Sequence, residues 1–428
     1  MKCNISKLSK QMIYLIISVC FAFATILIIT PNIYMTGLSS VFIKKSSLLF
    51  MIFMTAVFLI IINFWSDKTI STMKNSKRES NLELCRVLCM LLIIAHHAIV
   101  HGGILNIEGI STNKMMSLFL IPAGKIAFDC FIALSCWFLI DQKFKMNKFL
   151  LIWSEVLFYS VSFTIVAYFM GAQLTWRNWF SIFLPISGNS HGFAASYLAF
   201  YLLLPFLKRM TQNLTKFQVR ILLLLLFYFE VCTKIIGYFA QYTQPMASEL
   251  FVFILIYVLI FNLKKWPIKL IEKKWMTFGI FSLIWILIWI SWYYNITLPG
   301  NQFSQFMITI MGDESSITNI IAGIALFFFF KNMKINKMPL INGLAAGTFG
   351  ILLIHDHNFF RYNFWPQIIK TQNWFDSNYY LILLLIFVIW TYLTGFLIDY
   401  SRKKFFETPL LNSKKFQLIC LKYDKKMD

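Results

Sequence analysis

The sequence predicts an all-α membrane protein, a bundle of about twelve transmembrane helices. Hydrophobic residues make up 59% of the 428-residue chain and charged residues only 13%, whereas a soluble domain carries roughly 25% charged residues. The mean hydropathy is +0.69. Apolar runs of about 18 residues or more recur along the chain, and a helix of that length crosses a hydrocarbon layer roughly 30 Å thick. This composition excludes a disordered chain, a coiled coil and a secreted disulfide scaffold.

Hydropathy along the chain predicts two spans in an N-terminal part and ten in the remainder. The predicted spans are 12–30, 47–65, 82–104, 117–140, 149–170, 194–207, 218–240, 250–263, 276–294, 317–330, 343–359 and 379–399. We expect three parts: residues 1–78 with two extra helices and a polar cytoplasmic linker, a ten-helix core at 79–400, and a basic cytoplasmic tail at 401–428. The first apolar run has no clear signal-peptide cleavage site after it and is interpreted as a membrane helix.

The positive charges predict the topology. The formal net charge is +21, and most of the 39 Lys and Arg residues lie in loops that a cytoplasmic N-terminus places inside. The positive-inside rule therefore favours cytoplasmic positions for both termini. The basic clusters lie between apolar segments and form no basic domain. We therefore expect the protein to lie in a lipid bilayer and not to bind nucleic acid. The eight cysteines form no C-x-x-C pair, and neither a disulfide nor a metal site is predicted.

The third predicted span carries the densest group of ionisable residues at bilayer depth. Glu83, Arg86, His97 and His101 share one helical face, and the eleven-residue step from Arg86 to His97 corresponds to about 16 Å of rise. Arg binds phosphate bidentately, and His exchanges protons near neutral pH. We expect Arg86 to hold an anionic donor that enters from the cytoplasm and His97 to act as a base deeper in the membrane. The alternative is a surface pair of Glu83 with Arg86 and histidines that only pack.

This segment resembles the first core helix of the membrane acyltransferase-3 family, the integral-membrane O-acetyltransferases of bacterial surface polysaccharides. The family pattern has an acidic residue three positions before an Arg and a His after ten further residues, and Glu83, Arg86 and His97 fit it. Three later segments are similar to family motifs in the same order. They are FDCFIALSCWFLI (Phe128–Ile140), SYLAFYLLLPFL (Ser196–Leu207) and GTFGILLIHDHNFFR (Gly347–Arg361).

The resemblance covers about residues 79–400 and departs from the family at one motif position. Asp129 and Ser135 match the second motif, but Cys136 stands where the family has a glycine. The resemblance implies transfer of an acetyl group from cytoplasmic acetyl-CoA to a hydroxyl of a cell-surface or lipid-linked polysaccharide. It also implies a multi-pass protein of a bacterial cell membrane, with polysaccharide-assembly proteins as possible partners. The sequence leaves open acetyl against succinyl as the acyl group.

For acetyl transfer from acetyl-CoA, the predicted catalytic residues are His97, Arg86 and Glu83, and Arg86 is placed at the CoA entrance. The chain has no G-x-S-x-G elbow, so direct transfer or a transient acetyl-histidine is expected rather than an acyl-serine. No metal is expected as a cofactor.

Other polar residues in or near the spans are secondary candidates. Glu155 is predicted to bind the donor by orienting Arg86, or else to lie near the interface. The predicted acceptor contacts are His355, Asp129, Ser135, His191 and Arg361. Asp129 could equally form a structural pair with Lys125, one turn away. A metal at the consecutive residues 355–357 is disfavoured because three successive side chains cannot face one point on a helix.

A transporter, flippase or polysaccharide polymerase has a similar composition and is the alternative function. Transporters often show inverted repeats, which this sequence lacks, and a polymerase would be expected to have larger outer loops. A family-like protein that has lost activity is a third possibility, against which the Arg86–His97 spacing argues. Consumption of acetyl-CoA would distinguish these functions.

Overall fold

The computed structural model describes residues 14–22, 24–25, 55, 78–169, 172–187, 191–240, 248–313, 315–358, 361 and 371–427. All regular structure in this part is helical, and no strand occurs among the described residues. The prediction of an all-α membrane bundle is confirmed. The two predicted N-terminal spans lie largely outside the described residues, which include helical residues at 14–22 from the first of them.

From residue 80 onward the described part of the chain contains seventeen α-helices, numbered in chain order. They are α1 Ser80–Val100, α2 Thr112–Leu139, α3 Met146–Phe169, α4 Trp176–Ser181, α5 Gly192–Asn213, α6 Lys216–Phe227, α7 Thr233–Ala240, α8 Glu249–Lys265, α9 Lys269–Glu272, α10 Lys274–Thr297, α11 Gln302–Met311, α12 Ile317–Lys331, α13 Pro339–Ala345, α14 Thr348–His355, α15 Tyr380–Arg402, α16 Thr408–Asn412 and α17 Lys414–Met427. Short 3₁₀ turns occur at Ile104–Asn106 and Thr371–Trp374, and π-helical turns at Tyr228–Cys232 and Lys403–Glu407.

Five helices of the described part are long and apolar enough to cross a membrane: α1, α2, α3, α10 and the segment Tyr380–Asn412. Two predicted spans correspond to the shorter apolar segments Ile317–Lys331 and Pro339–His355. The predicted span at 218–240 is divided by the π-helical turn Tyr228–Cys232. The count of twelve spans and the cytoplasmic location of both termini stay predictions.

Helices α1 and α2 form the centre of the bundle. In their most apolar windows, 61% and 72% of the residues are buried, against 28% in α3 and 22% in α10, which lie at the periphery. Two glycines permit the close packing of α2: a methyl group on Gly124 would overlap the His96 ring, and one on Gly323 of α12 would lie 2.6 Å from the Asp129 Cβ. The helix with the predicted Arg–His pair is thus held between neighbours on several sides.

A buried network of charged side chains joins the end of α15 to α3. Arg402 is 4% exposed, and its guanidinium lies 3.0 Å from carboxylate oxygens of Glu155, Asp399 and Glu407. Burying a charge is tolerated when ionic partners surround it. The chain then continues into α17, where the Asp424 carboxylate accepts a 2.6 Å hydrogen bond from the Met146 backbone N–H at the start of α3.

Candidate active site

Helix α1 lines two separate cavities, one toward each of its ends. We name the cavity at its N-terminal end, which contains Arg86, the inner cavity, because the charge bias predicts that this end is cytoplasmic. Its volume is about 790 Å³. The second, of about 130 Å³, contains His97 and is named the outer cavity. The predicted separation of cation and imidazole along one helix therefore corresponds to two distinct spaces.

The inner cavity is rich in charge around Arg86. The Arg86 Nη1 atom lies 3.4 Å from one Glu83 carboxylate oxygen, and the Arg78 Nη1 atom lies 3.5 Å from the other. The Arg86 guanidinium also lies 5.8 Å from the centre of the Phe138 ring. Lys148 adds a third cation to the lining. One carboxylate thus contacts two guanidiniums, which holds Arg86 in place beside the Phe138 ring.

The predicted donor-side residue Glu155 lines the inner cavity, but its described ion-pair partner is Arg402 rather than Arg86. Glu155 is therefore part of the network that fixes the cavity wall. Ser135, predicted on the acceptor side, also lines the inner cavity, together with Tyr197 and Tyr201. The structure thus places Ser135 with the donor-side residues.

In the outer cavity the imidazole of His97 faces a carboxylate. The His97 Nδ1 atom lies 3.4 Å from Asp356 Oδ1, and the His97 side chain is 11% exposed. The Nε and Nη2 atoms of Arg361 lie 2.7 and 2.6 Å from the same Asp356 oxygen. The His97 Nδ1 atom makes no hydrogen bond with any of the described residues, so the contact with Asp356 orients the ring without fixing its tautomer. The tautomer with its hydrogen on Nδ1 leaves Nε2 with the lone pair that a general base requires. Arg361 in turn holds the carboxylate in position.

Two other histidines surround His97 and have defined tautomers. His355 Nδ1 lies 2.6 Å from the Ile351 carbonyl oxygen, and His96 Nδ1 lies 2.7 Å from that of Ile121. A carbonyl oxygen only accepts, so each Nδ1 carries the hydrogen and donates it. The His355 ring centre lies 5.2 Å from that of His97, so this predicted acceptor contact is next to the candidate base.

His191 and His357 form a second pair of rings, with centres 4.8 Å apart. Neither is among the described residues that line the outer cavity. Burial, then the neighbouring His357 and Arg361, lower the pKa of His191 well below its ordinary value. The His191 ring is therefore neutral at pH 7, and a role for His191 with the acceptor stays a prediction.

Asp129 is fully buried and packs beside Gly323 of α12. It is not among the described residues that line either cavity. Lys125 lines the outer cavity, and both the acceptor role of Asp129 and its structural pair with Lys125 stay predictions.

Asp356 lies in the family-like segment Gly347–Arg361 but is not one of the predicted site residues. Helix α14 ends at His355, and His357 packs against His191 instead. The turn after a helix C-terminus brings Asp356 to His97 beside His355. Glu249, at the start of α8, is a further carboxylate of the outer cavity that the sequence gave no reason to select.

A wall of aromatic side chains separates the two cavities. Phe193 lines the outer cavity and Tyr197, one turn further along α5, lines the inner one; their rings are stacked at 6.4 Å. Phe253 of α8 contacts both, at 5.3 and 6.1 Å between ring centres. On α2 the same one-turn step leads from Phe131 to Ser135. The wall is therefore about one helical turn, or about 5.4 Å, thick on these two helices.

Comparison with known proteins gives one family. The model of the acyltransferase-3 family, described as an acyltransferase domain, matches residues 79–400, well over half of the chain. Neither the curated proteins nor the solved structures give a match.

Proposed function

The chain belongs to the acyltransferase-3 family, and from this premise we propose that it moves an acetyl group from cytoplasmic acetyl-CoA to a hydroxyl of a cell-surface or lipid-linked polysaccharide. A membrane acyltransferase is what the family and the apolar helices establish. The donor, the acceptor, a bacterial plasma-membrane location and polysaccharide-assembly partners are proposals. Family membership does not support the alternative of a transporter, flippase or polymerase.

The observation that carries the proposal is the presence of Arg86 and His97 in two cavities on one helix. The inner cavity, at about 790 Å³, lies within the range of about 300–1,000 Å³ usual for small-molecule sites. Arg78, Arg86 and Lys148 give it the cations that CoA phosphates require. The outer cavity, at about 130 Å³, has room for a reacting group, while the rest of a polysaccharide would lie outside it.

The proposed chemistry uses the His97 tautomer that carries its hydrogen on Nδ1, on the side of Asp356. The Nε2 lone pair removes the proton of the acceptor hydroxyl while that oxygen attacks the thioester carbonyl carbon. The carbon–sulfur bond then breaks, and the imidazolium returns its proton to the CoA thiolate. In the other route Nε2 attacks the carbonyl first and expels CoA as its thiolate. The hydroxyl then takes the acetyl group from the acetyl-imidazolium, and the hydroxyl proton passes through the freed His97 to the thiolate. In both routes the Asp356 carboxylate stabilises positive charge on His97.

Contact between the thioester and His97 requires the acyl group to pass the aromatic wall. The donor binds on one side of Tyr197 and the base lies on the other, so the acyl end of a long, narrow carrier arm has to displace these rings. About one helical turn of wall is a short path for such an arm.

The experiment is label transfer from acetyl-labelled acetyl-CoA into cell-envelope glycans by membranes that contain the chain. Wild type is compared with H97A, R86A and the matched control R220A, whose exposed guanidinium on α6 lies away from both cavities. At equal expression and with acetyl-CoA below its KM, we expect full label with wild type and R220A, about tenfold less with R86A, and loss of label with H97A. Absence of label with wild type, or its persistence with H97A, would reject the proposal.

A further inference from the structure

Three cysteine side chains meet between α1 and α2, outside both cavities. Cys85 and Cys89 are one turn apart on α1, and Cys130 faces them from α2. Their sulfur atoms all lie within 4.8 Å of one another, and the Cys85 and Cys130 sulfurs are 3.4 Å apart. All three residues are at most 1% exposed. A sequence motif search misses this cluster because its third member lies on another helix.

We infer that Cys85, Cys89 and Cys130 form a three-coordinate site for one Cu⁺ ion. Thiolate sulfur is a soft ligand that selects soft metal ions. With metal–sulfur bonds of about 2.3 Å, three sulfurs around a planar ion are about 4 Å apart, which agrees with the observed cluster.

The number of ligands distinguishes copper from the other ions that thiolates bind. Structural zinc is almost always four-coordinate, and iron–sulfur clusters use four cysteines. The group of possible ligands among the described residues contains these three cysteines and no fourth His, Cys, Asp or Glu. Three sulfurs are enough for Cu⁺, which has no need of a water ligand in this dry, apolar interior.

The charge balance of Cu⁺ binding can be written without any redox partner. Binding breaks two S–H bonds, releases two protons and forms two thiolate–copper bonds, while the third cysteine donates a sulfur lone pair as a neutral thiol. Copper remains Cu⁺ throughout, so no oxidant or reductant is needed. The complex carries one net negative charge, which the cation of the adjacent Arg86 offsets through its action on the Cys85 sulfur.

The site lies beside the first residue of the predicted catalytic pair. A bound ion would tie α1 to α2 next to Arg86 and so fix the wall of the inner cavity there. The inference itself concerns metal binding and does not depend on the proposed acyl transfer.

The test uses the purified full chain in detergent without oxygen, with Cu⁺ supplied as its coloured bicinchoninate complex. Wild type is expected to remove one equivalent of copper and bleach the complex. C85S and C130S are expected to remove at least tenfold less, whereas C136S should behave as wild type. Cys136 is the matched control because it is a fully buried cysteine of the same helix α2 outside the cluster.

A spectroscopic measurement on wild type alone covers the case in which a serine variant fails to fold. X-ray absorption of the copper-loaded chain should show about three sulfur neighbours at about 2.3 Å and no nitrogen neighbours. Equal copper uptake by wild type and C85S, no uptake by wild type, or a nitrogen-coordinated copper would each overturn the inference. Binding of Zn²⁺ with no binding of Cu⁺ would also overturn it.

Discussion

In the inner cavity the Arg86 side chain is 26% exposed and shares the Glu83 carboxylate with Arg78. In the outer cavity the His97 side chain is 11% exposed and faces Asp356, which Arg361 holds through two nitrogens. The inner cavity is wide and has a partly exposed cation, whereas the outer cavity is small and its carboxylate is held in one direction by Arg361. This difference corresponds to two tasks, attraction of a large anionic donor and alignment of one proton transfer. The predictions below test this division.

The largest effect is expected from His97→Ala. Removal of a general base typically costs about 10²- to 10⁴-fold in kcat, and KM for acetyl-CoA should stay within about twofold of wild type because the inner cavity is intact. Initial rates measured against acetyl-CoA concentration separate the two quantities. A KM that rises in parallel with the loss of kcat would break the division, because His97 would then also bind the donor.

Asp356→Asn is expected to lower kcat by about 10- to 150-fold. The 3.4 Å contact of Asp356 with His97 would become a charged hydrogen bond, worth about 1.5–3 kcal/mol, once His97 takes up a proton. The amide keeps the shape of the carboxylate without its charge. The measurement is a double-mutant cycle with His97→Ala. If Asp356 acts through His97, the double variant is no slower than His97→Ala alone; additive losses would contradict a positioning role.

Arg86→Ala is expected to raise KM for acetyl-CoA about tenfold and to change kcat less. The guanidinium is partly exposed, so the loss lies at the lower end of charge-assisted hydrogen bonds. The wild-type KM should increase with ionic strength, and the variant should lose most of that dependence. Arg86→Lys should fall between the two, while Arg220→Ala serves as the control. A salt dependence unchanged by Arg86→Ala would count against a phosphate contact.

The smallest effect on activity is expected from Glu155→Gln. Its partner Arg402 keeps Asp399 and Glu407, so we expect a loss of about 1–3 kcal/mol in stability and a change in kcat and KM below about twofold. Thermal unfolding of the purified protein measures the loss of stability, and initial rates measure kcat and KM. A rise in KM without a loss of stability would instead place Glu155 in the donor site, as the sequence suggested.

Hydropathy predicted the bundle because every long apolar run must find lipid or other helices, and helix periodicity predicted that Glu83, Arg86 and His97 share a face. What the sequence could not predict depends on packing between helices. Asp356 reaches His97 only because α14 ends at His355, and Cys130 reaches Cys85 only because α2 lies against α1. Contacts of this kind join residues that are far apart in the chain, so the spacing of residues along the sequence does not predict them.

The thin aromatic wall has an electrical consequence. If both cavities contain water, most of the membrane voltage falls across the single turn between Phe193 and Tyr197 rather than across the whole bilayer. Moving one elementary charge through that field involves about 2.3 kcal/mol for each 100 mV. A neutral acetyl group crosses this field at no electrical cost. A proton that moves from the acceptor hydroxyl in the outer cavity to the CoA thiolate in the inner cavity crosses the same field as a charge. The rate of acetyl transfer would therefore depend on the membrane voltage, although the acetyl group itself is uncharged.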